Sequence, residues 1–397
     1  MNKKTIQLSE QDRCTGCAAC ADVCPTGSIE MSDSGRLFSY PRINADTCIS
    51  CGKCMKACPS INPLESRNFE QQYFAAWNKN PEERKASTSG GAGTSIARYA
   101  LSEGFVVYGV GFDSQWNVKH SAAGNENDLD AFRGSKYVQS DTSGVYSSVL
   151  DRLRNGGKVL FIGTPCQVEA VKRFIPEGLA PQLVTCEIIC HGVNSPRVWK
   201  DYVNCLQNGH NSTLKSYNFR SKSHGWQNSR GGGNLRVAYT FADGTGTDVP
   251  SWKNQYHYWF GLHYMLRPSC LHCQYRREQR RADITMADFW GVQKVLSGAD
   301  TYLGVSAIIV SSDKGREFLK GIDDLTLIPV DAAKAKSVLK GFVEKKDDAA
   351  QQAEIARAKE FEREYIPSGF DEMVKKYPHK TSLQMFICKV KGKLGLR

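Results

Sequence analysis

Two stretches of the amino-acid sequence share one spacing of cysteines: CTGCAACADVCP at residues 14–25 and CISCGKCMKACP at residues 48–59. In each stretch, two residues separate the first three cysteines, three residues precede the fourth, and a proline follows it directly. Thiolates at this spacing let one tight loop hold three corners of a metal cluster, while the fourth cysteine leads away to a neighbouring cluster. These stretches contain eight of the 15 cysteines and decide the fold of the N-terminal region.

The doubled run is typical of bacterial ferredoxins, which hold two [4Fe–4S] clusters by crossed sets of ligands. By that rule, one cluster is held by Cys14, Cys17, Cys20 and Cys58, and the other by Cys48, Cys51, Cys54 and Cys24. Zinc knuckles and disulfides are the alternatives, but zinc sites take four ligands in pairs rather than two runs each closed by proline. The residues between the runs, 28–43, predict a short hairpin whose turn is Asp33–Gly35.

The composition sets the broad class of the protein. The chain has 397 residues, 41% hydrophobic and 23% charged, which is ordinary for globular domains and excludes wholesale disorder. Its length predicts two or three domains. No apolar run approaches the ~20 residues that cross a bilayer, and the N-terminus has no apolar signal core, so we expect a cytoplasmic, reducing location. In that compartment many thiols indicate metal or redox chemistry.

The net charge of +11 is concentrated in two segments. Residues 267–281 contain five arginines and one glutamate, and residues 371–397 contain seven basic and two acidic residues. Neither segment has a recognisable nucleic-acid reading element, so we expect no nucleic acid as a partner. For the basic tail we favour a solvated terminus, and a weak contact with an anionic membrane surface is the alternative.

Predicted strands and helices alternate after residue 70, which indicates an α/β body behind an α+β ferredoxin-like module. The predicted strands cover 73–77, 105–111, 158–162, 182–190 and 304–310. The predicted helices cover 96–101, 166–174, 196–206 and 345–364. An antiparallel excursion between about 213 and 250 contains a predicted hairpin of 235–241 and 247–250.

Two loops of the body have the composition of ligand-binding loops. The first is Ser87-Thr88-Ser89-Gly90-Gly91-Ala92-Gly93-Thr94, which opens a predicted helix, where free N–H groups and the helix dipole favour a phosphate. It is neither a Walker loop nor a GxGxxG fingerprint. The second is Arg133-Gly134-Ser135-Lys136-Tyr137, which offers a cation, two donors and an aromatic ring. That composition suits a phosphate and a flat ring, and it equally suits a plain turn.

Four later cysteines form a second candidate metal site: Cys166, Cys190, Cys270 and Cys273. The last two have the spacing of a metal-ligand pair. Cys166 begins a predicted helix, whose dipole is expected to lower the thiol pKa. Cys190 ends a predicted strand, and strand ends gather at one edge of an α/β sheet. The four could converge on a third [4Fe–4S] cluster, and the alternatives are a structural zinc, unrelated buried thiols and a nucleophilic Cys166.

His191 directly follows Cys190 and is a candidate proton donor, because the ordinary pKa of imidazole lies near neutrality. A histidine that is hydrogen-bonded at a strand end is the alternative. Asp283 and Asp288 flank the segment ADITMADFWG, where they either bind a ligand or cap a turn.

Five motifs in order resemble one family. They are KASTSGGAGT (85–94), RGSKYVQS (133–140), GTPCQVEAVKRF (163–174), CHGVNSPRVW (190–199) and RPSCLHCQYRREQRRADITMADFWG (267–291), and they resemble the beta subunits of coenzyme F420 hydrogenase and dehydrogenase. The resemblance covers roughly residues 73–330. It implies FAD bound on an α/β domain beside a [4Fe–4S] cluster. Carried onto this chain, it matches residues 87–94 and 133–137 to flavin binding and the four later cysteines to the cluster.

The resemblance divides the chain into a two-cluster ferredoxin domain (1–65), an FAD-binding region (70–155), a C-terminal beta-subunit-like region (156–330) and a helical, basic tail (331–397). It predicts an oxidoreductase that passes electrons between [4Fe–4S] clusters and FAD, and between FAD and a two-electron substrate. The alternatives are a coenzyme F420-specific reductase or dehydrogenase and a non-catalytic electron-relay subunit of a larger complex. The expected partner is a redox protein or a small electron donor or acceptor, and a homo-oligomer is left open.

Overall fold

The computed structural model describes residues 6–65, 69–228, 233–339 and 348–380. The N-terminal module contains two short helices, α1 (Ala19–Asp22) and α2 (Lys53–Ala57), each within one cysteine run. Strands β1 (Ile29–Ser32) and β2 (Tyr40–Ile43) pair antiparallel between them. The predicted hairpin between the runs is confirmed, with Ile29 opposite Ile43.

The body contains eleven further strands within the described ranges: β3 (Gln72–Asn78), β4 (Phe105–Phe112), β5 (Val118–Ala123), β6 (Lys158–Gly163), β7 (Leu183–Ile188), β8 (Leu214–Asn218), β9 (Arg236–Phe241), β10 (Gly246–Pro250), β11 (Ile284–Asp288), β12 (Ser306–Val310) and β13 (Leu325–Val330). Its helices there are α3 (Pro81–Ala86), α4 (Ala92–Ser102), α5 (Glu126–Leu129), α6 (Val145–Arg154), α7 (Pro165–Phe174), α8 (Pro196–His210), α9 (Gln255–Gly261), α10 (Pro268–Leu271), α11 (Asp313–Lys320), α12 (Ala332–Leu339) and α13 (Asp348–Lys376).

Eight strands form one mixed sheet in the order β13-β3-β12-β11-β7-β6-β4-β5. The strands β4, β6, β7 and β11 run parallel to one another, and the outer strands on both sides join antiparallel. Neighbouring residues of β6 enter different hydrophobic clusters: Leu160 packs with α4 and α11, whereas Val159 and Phe161 pack with α6 and α7. Because successive side chains of a strand point to opposite faces, helices cover both faces. The predicted α/β class is confirmed.

Several predicted elements differ from the structure only at their ends. The predicted hairpin of the antiparallel excursion is formed by β9 and β10, and an additional strand, β8, joins it in a three-stranded sheet. Helix α8 begins as predicted, because the Ser195 hydroxyl accepts a hydrogen bond from the Val198 N–H at 3.2 Å, but it continues to His210. Helix α13 is longer than predicted and consists of two segments that meet at Gly369, whose φ is +72°. The segment 381–397 of the basic tail lies outside the described residues.

The N-terminal module is joined to the body through α6. The Asp22 carboxylate accepts hydrogen bonds from the Gly144 N–H (2.7 Å) and the Tyr146 N–H (3.0 Å), where the N–H groups of a helix start otherwise have no partner. The Thr142 hydroxyl donates to the Cys17 carbonyl at 2.8 Å. These contacts hold the first cysteine run against the body. No helix among the described residues is long and apolar enough to cross a membrane.

Candidate functional site

One small cavity of the N-terminal module brings together cysteines from both runs. It is lined by Cys14, Cys17 and Cys20 of the first run and by Cys58 of the second. We call these four the inner set. Burial raises the pKa of the Cys17 thiol to about 12, and the neighbouring Cys58 and Cys14 raise it further. The four thiols are therefore close neighbours, as the crossed arrangement predicts.

A second small cavity holds the remaining cysteines of the runs. It is lined by Cys48, Cys51 and Cys54 of the second run and by Cys24 of the first, and we call these four the outer set. The Cys51 side chain is exposed, and Ile49 beside it is 61% exposed. Within the described residues, no three Cys, His, Asp or Glu side chains lie close enough together to hold a single metal ion. The assignment of each set to a [4Fe–4S] cluster remains a prediction, and the four cysteines that line each cavity support it.

The two cysteine loops have the same backbone turns. Gly16 and Ser50 occupy equivalent places, with φ of +66° and +55°, and Ala18 and Gly52 do so as well, with φ of +60° and +74°. Residues in this left-handed region reverse the chain locally. Each loop therefore curls its three cysteines around one space, as the binding of a cluster requires.

The four later cysteines also meet. Cys166 is the second residue of α7, Cys190 follows β7, and Cys270 and Cys273 lie in and after α10. Burial raises the pKa of Cys190 well above its usual range, and Cys270, Cys166 and Cys273 raise it further. We call these four the third set. Their convergence argues against unrelated thiols, and four cysteines are the ligand number of a [4Fe–4S] cluster.

The expected effect of the helix dipole on Cys166 is wrong. Burial raises the pKa of this thiol to about 12, and Cys270 and Cys273 add to the increase, although the Thr164 hydroxyl at 3.1 Å opposes it. Desolvation of a thiolate outweighs the dipole at this buried helix start. A protonated thiol is a weak nucleophile, so the raised pKa argues against a nucleophilic Cys166, and a metal bound here would have to displace its proton.

Two buried tyrosines connect the inner set with the third set. Burial raises the pKa of Tyr146 and of Tyr275, and both phenols are also affected by Cys17 and by Cys166. Each ring therefore lies near a cysteine of both sets. The two sets are neighbours within the protein interior, separated by aromatic side chains.

Both predicted ligand-binding loops line one large cavity, of about 310 Å³, which lies in the range of small-molecule sites. The loops are joined directly, because the Ser135 N–H donates to the Thr88 hydroxyl at 2.9 Å. The cavity also reaches Cys190 and His191. Every residue of the two loops named above lines it except Gly90.

The first loop is built for close backbone approach. A Cβ on Gly90 would lie 2.3 Å from the Ala76 carbonyl oxygen, so only glycine fits between the loop and β3. Gly91 precedes α4 with a φ of +87°, and no side chain caps this helix. The first residues of α4 line the cavity, where their N–H groups can bind an anion. The buried Nε of Arg133 in the second loop has no hydrogen-bond partner, so a donor is available there as well.

Two further residues of the second loop, Lys136 and Tyr137, make contacts within the protein. The Lys136 ammonium donates to the carbonyls of Ala131 (2.8 Å) and Arg133 (2.9 Å), and burial lowers the pKa of Lys136 to about 7. Lys136 therefore stabilises the loop instead of offering the cavity a free cation. The Tyr137 hydroxyl accepts a hydrogen bond from Arg220 at 2.9 Å, and its ring packs at 4.9 Å from Phe260.

The sequence interpretation missed Arg220 as a residue of this site. Its guanidinium also contacts Asp288 at 2.9 Å, and both side chains line the cavity. Asp288 accepts a further hydrogen bond from the Trp226 indole at 3.2 Å. No motif marks Arg220, which lies in the irregular segment after β8. Its position at the cavity depends on the return of the chain from the three-stranded sheet.

Asp283, in contrast, has a structural role. It is 2% exposed, and its carboxylate accepts hydrogen bonds from Thr185 at 2.7 Å and from Ser312 at 2.7 Å. It therefore links β7 to the start of α11, which is a structural role and not a ligand-binding one. Of the two aspartates, only Asp288 lies at the cavity.

His191 lies at the cavity, and its Nε2 is 2.6 Å from the Nε2 of His263. The Nδ1 of His263 is 3.3 Å from a Glu354 carboxylate oxygen on α13. The imidazole is thus both hydrogen-bonded and next to the cavity. Both interpretations of this residue are compatible with its position.

The fold and these sites define an iron–sulfur class of protein: a dicluster module joined to an α/β body with a ligand cavity. A family model for a 4Fe-4S dicluster domain matches residues 13–61, and a second such model matches 40–94. Models for the N-terminal and C-terminal parts of the coenzyme F420 hydrogenase/dehydrogenase beta subunit match residues 73–147 and 156–336. The chain belongs to the coenzyme F420 hydrogenase/dehydrogenase beta-subunit family, and its dicluster domain makes it an iron–sulfur member of electron-transfer type.

Similar proteins match parts of the chain. An uncharacterised protein of Methanocaldococcus jannaschii is 24% identical over 199 residues, which are 43% of this chain and 54% of the relative. The ketoisovalerate oxidoreductase subunit VorC of Methanothermobacter marburgensis is 31% identical over 65 residues, 16% of this chain and 82% of the relative. The chain spans about half the length of the first of these relatives.

One solved structure resembles the chain distantly. It is the F420-reducing [NiFe] hydrogenase complex from Methanosarcina barkeri, at 18% identity and a TM-score of 0.43, covering 77% of this chain and 95% of the matched chain. A likeness at this level assigns no residue a role.

Proposed function

We propose that the chain is an oxidoreductase in which single electrons pass between the outer set, the inner set and the third set, and reach FAD in the large cavity. The observation that supports this best is that one cavity is lined by both loops and by Cys190. A redox ligand bound there would lie directly beside the third set. The order of the sets follows from exposure and from the shared neighbours Tyr146 and Tyr275.

The cysteines would hold three [4Fe–4S] clusters, and each such cluster carries single electrons. In the N-terminal module the crossed sets provide four thiols apiece, and the left-handed turns of each loop curl the chain around them. The third set is enclosed by the body. Because its pKa values are raised by burial, the binding of iron must displace protons from these thiols.

FAD would be held by the two loops and would supply the conversion between one-electron and two-electron chemistry. The start of α4 and the guanidinium of Arg133 would bind its phosphates, and Gly91 and Gly93 let the ligand approach the backbone. The Thr88–Ser135 hydrogen bond fixes the distance between the two loops. Arg220 and Asp288 would bind polar groups at the far side of the cavity.

His191 is our candidate for the proton donor of the two-electron step. It lies at the cavity, and the contact with His263 gives its imidazole a second ring with which to exchange a proton. Substituting His191 with glutamine should slow substrate turnover while one-electron reduction of the flavin stays at its original rate.

Rapid reduction of the anaerobic holoprotein tests the proposal. Dithionite should reduce the clusters first and the flavin afterwards, and the flavin absorbance should follow the loss of cluster absorbance. In the Cys190→Ala variant the flavin should still bind, but its reduction through the protein should slow by orders of magnitude. Equal flavin reduction in the variant and the original protein would overturn the route through the third set.

Family membership favours coenzyme F420 as a second candidate for the two-electron partner, since the matched models bear that name. Anaerobic reoxidation of the reduced protein by F420, compared with other two-electron acceptors, decides between this and a different small substrate. A chain that holds its irons yet never binds flavin would instead be an electron-relay subunit of a larger complex.

A further inference from the structure

Arg267 is a fully buried arginine that contacts the first cysteine loop. Its side chain is 1% exposed, although it directly precedes α10 and lies between the N-terminal module and the body. The Nε donates to the Cys14 carbonyl at 2.7 Å, and one terminal nitrogen lies 3.7 Å from the Cys14 sulfur. The same nitrogen donates to the Ser39 carbonyl at 3.0 Å.

Two further groups fix the guanidinium. Its other terminal nitrogen donates to the side-chain carbonyl of Gln139 at 2.8 Å, and the Gln139 amide in turn donates to the Thr15 carbonyl at 3.1 Å. The guanidinium also lies over the rings of Tyr40, at 4.5 Å, and Phe38, at 5.3 Å. Its position is therefore set from every side, by neutral groups.

No carboxylate oxygen of the described residues lies within 4.0 Å of this guanidinium. A buried cation without an anionic partner is costly, because carbonyls and rings replace only part of its hydration. The groups it faces are the sulfur and the carbonyl of Cys14, in the inner set. A cluster bound by four thiolates is anionic, so it would supply the missing negative charge.

We propose that Arg267 sets the reduction potential of the inner cluster. This inference rests on the proposed clusters and adds the residue that makes the two N-terminal clusters unequal. An electron added to the inner cluster makes it more negative by one charge, with no bond formed and no proton taken up. A fixed cation at 3.7 Å from one ligand sulfur stabilises that reduced form more than the oxidised form. The potential of the inner cluster is therefore raised.

The outer set has a different environment. The charged residue that lines its cavity is Lys53, whose side chain is exposed, and Cys51 of this set is exposed as well. Water screens an exposed cation much more than a buried one. The buried cation therefore favours electron transfer from the outer to the inner cluster, and so into the body.

Gly16 leaves the space that the guanidinium of Arg267 needs. A Cβ there would lie 2.5 Å from a terminal nitrogen of Arg267 and 2.5 Å from the Gln139 amide nitrogen. The loop thus leaves room for the guanidinium to reach the sulfur. In the outer loop the equivalent residue is Ser50, and no arginine of the described residues lines the cavity of the outer set.

The test is a redox titration of the anaerobic holoprotein, followed by electron paramagnetic resonance, in three forms: original, Arg267→Gln and Arg267→Lys. Removing the charge should make the reduction constant of the inner cluster at least about tenfold smaller, which is about 59 mV for one electron. The lysine variant should retain most of the potential. The outer cluster should not change in either variant.

Two further variants serve as controls for this titration. Arg236→Gln removes a half-buried arginine paired with Asp248 in the three-stranded sheet and should leave both potentials unchanged. If Arg267→Gln loses its inner irons, Gln139→Glu neutralises the cation while the guanidinium stays in place, and it should lower the same potential. An unchanged inner potential with all irons present overturns the role of Arg267 and leaves the proposed function standing. Missing inner irons in the original protein would overturn the proposed function itself.

Discussion

The two cysteine runs have identical spacing and equivalent backbone turns, yet the two sets of cysteines differ in their surroundings. The inner set lies against the body, where Thr142 donates to the Cys17 carbonyl and Arg267 donates to the Cys14 carbonyl. In the outer set Cys51 is exposed, and the charged residue that lines the cavity is the exposed Lys53. The comparison teaches that the motif determines how a cluster is held, while the surroundings determine what the cluster does.

The surroundings assign different tasks to the two sets. An exposed set with an apolar neighbour such as Ile49 is accessible to an external electron donor or acceptor. A cluster at the buried inner set, beside Tyr146 and Tyr275, would exchange electrons with groups inside the protein. We therefore expect the outer set to exchange electrons with a partner and the inner set to exchange electrons with the third set.

The largest expected effect comes from removing one crossed ligand in each set. Cys58→Ser should abolish the inner cluster, and Cys24→Ser the outer one, although each residue belongs to the run of the other set. Each variant should lose about four irons per chain, and the remaining resonance signal should differ between the two. Iron analysis and electron paramagnetic resonance give the result. Loss of the same cluster in both variants would contradict the crossed pairing.

Removal of iron should also proceed in two phases. With an anaerobic chelator, about four irons should leave first, from the exposed outer set, and the remainder should follow much more slowly. The course can be followed by absorbance and iron analysis. The Cys24→Ser variant, which lacks the outer cluster, is the control and should show the slow phase alone. A fast phase that survives in this variant would mean that the inner set is equally accessible.

Exchanging the residues at the equivalent positions 16 and 50 should have opposite effects. Gly16→Ser forces a side chain into the left-handed region, which costs about 1–2 kcal/mol, and against Arg267, which costs about 1–3 kcal/mol more. Ser50→Gly relieves the left-handed strain, so the protein should be as stable as the original or slightly more stable. Anaerobic thermal unfolding of both variants gives the comparison. A harmless Gly16→Ser would show that the first loop does not pack as described.

The smallest effect concerns single hydroxyls. Thr142→Val leaves the buried Cys17 carbonyl without its donor and should lower the free energy of unfolding by about 1–2 kcal/mol. Thr26→Val, at the solvent-exposed contact with Cys24 of the outer set, should change it by less than about 0.5 kcal/mol. Denaturant unfolding of both variants is sufficient. Equal losses would mean that both runs depend on the body alike.

Much of the architecture could be predicted from the sequence, because its signals are local. The spacing of the runs predicts the two crossed sets, whose members the structure brings together. Apolar runs such as 158–162 and 304–310 predict central strands. The strands β5, β8 and β11 were not predicted, since their sequences are polar or mixed, and β13 was not predicted because a proline interrupts it. β13 pairs with β3, which is distant in sequence, whereas β5 pairs with the preceding strand β4.

The sites divide in the same way. Both loops and the third set were found from short motifs. Gln139, Thr142 and Arg220 could not be found, because each is a single polar residue whose role depends on a contact across the fold. Arg267 stands in a quoted motif, but only its burial without a carboxylate reveals its relation to Cys14. The pKa of Cys166 was misjudged because burial, which is invisible in the sequence, outweighs the helix dipole.

The central claim is that one chain combines three clusters with a flavin, and the stoichiometry of an anaerobic preparation tests it most directly. Iron, acid-labile sulfide and released flavin should be measured on the same sample, after gentle purification. The account predicts about twelve irons, about twelve sulfides and one FAD per chain, with four irons for each cluster. About eight irons and no flavin would contradict it, and would leave a two-cluster ferredoxin module on a body that does not carry out the chemistry.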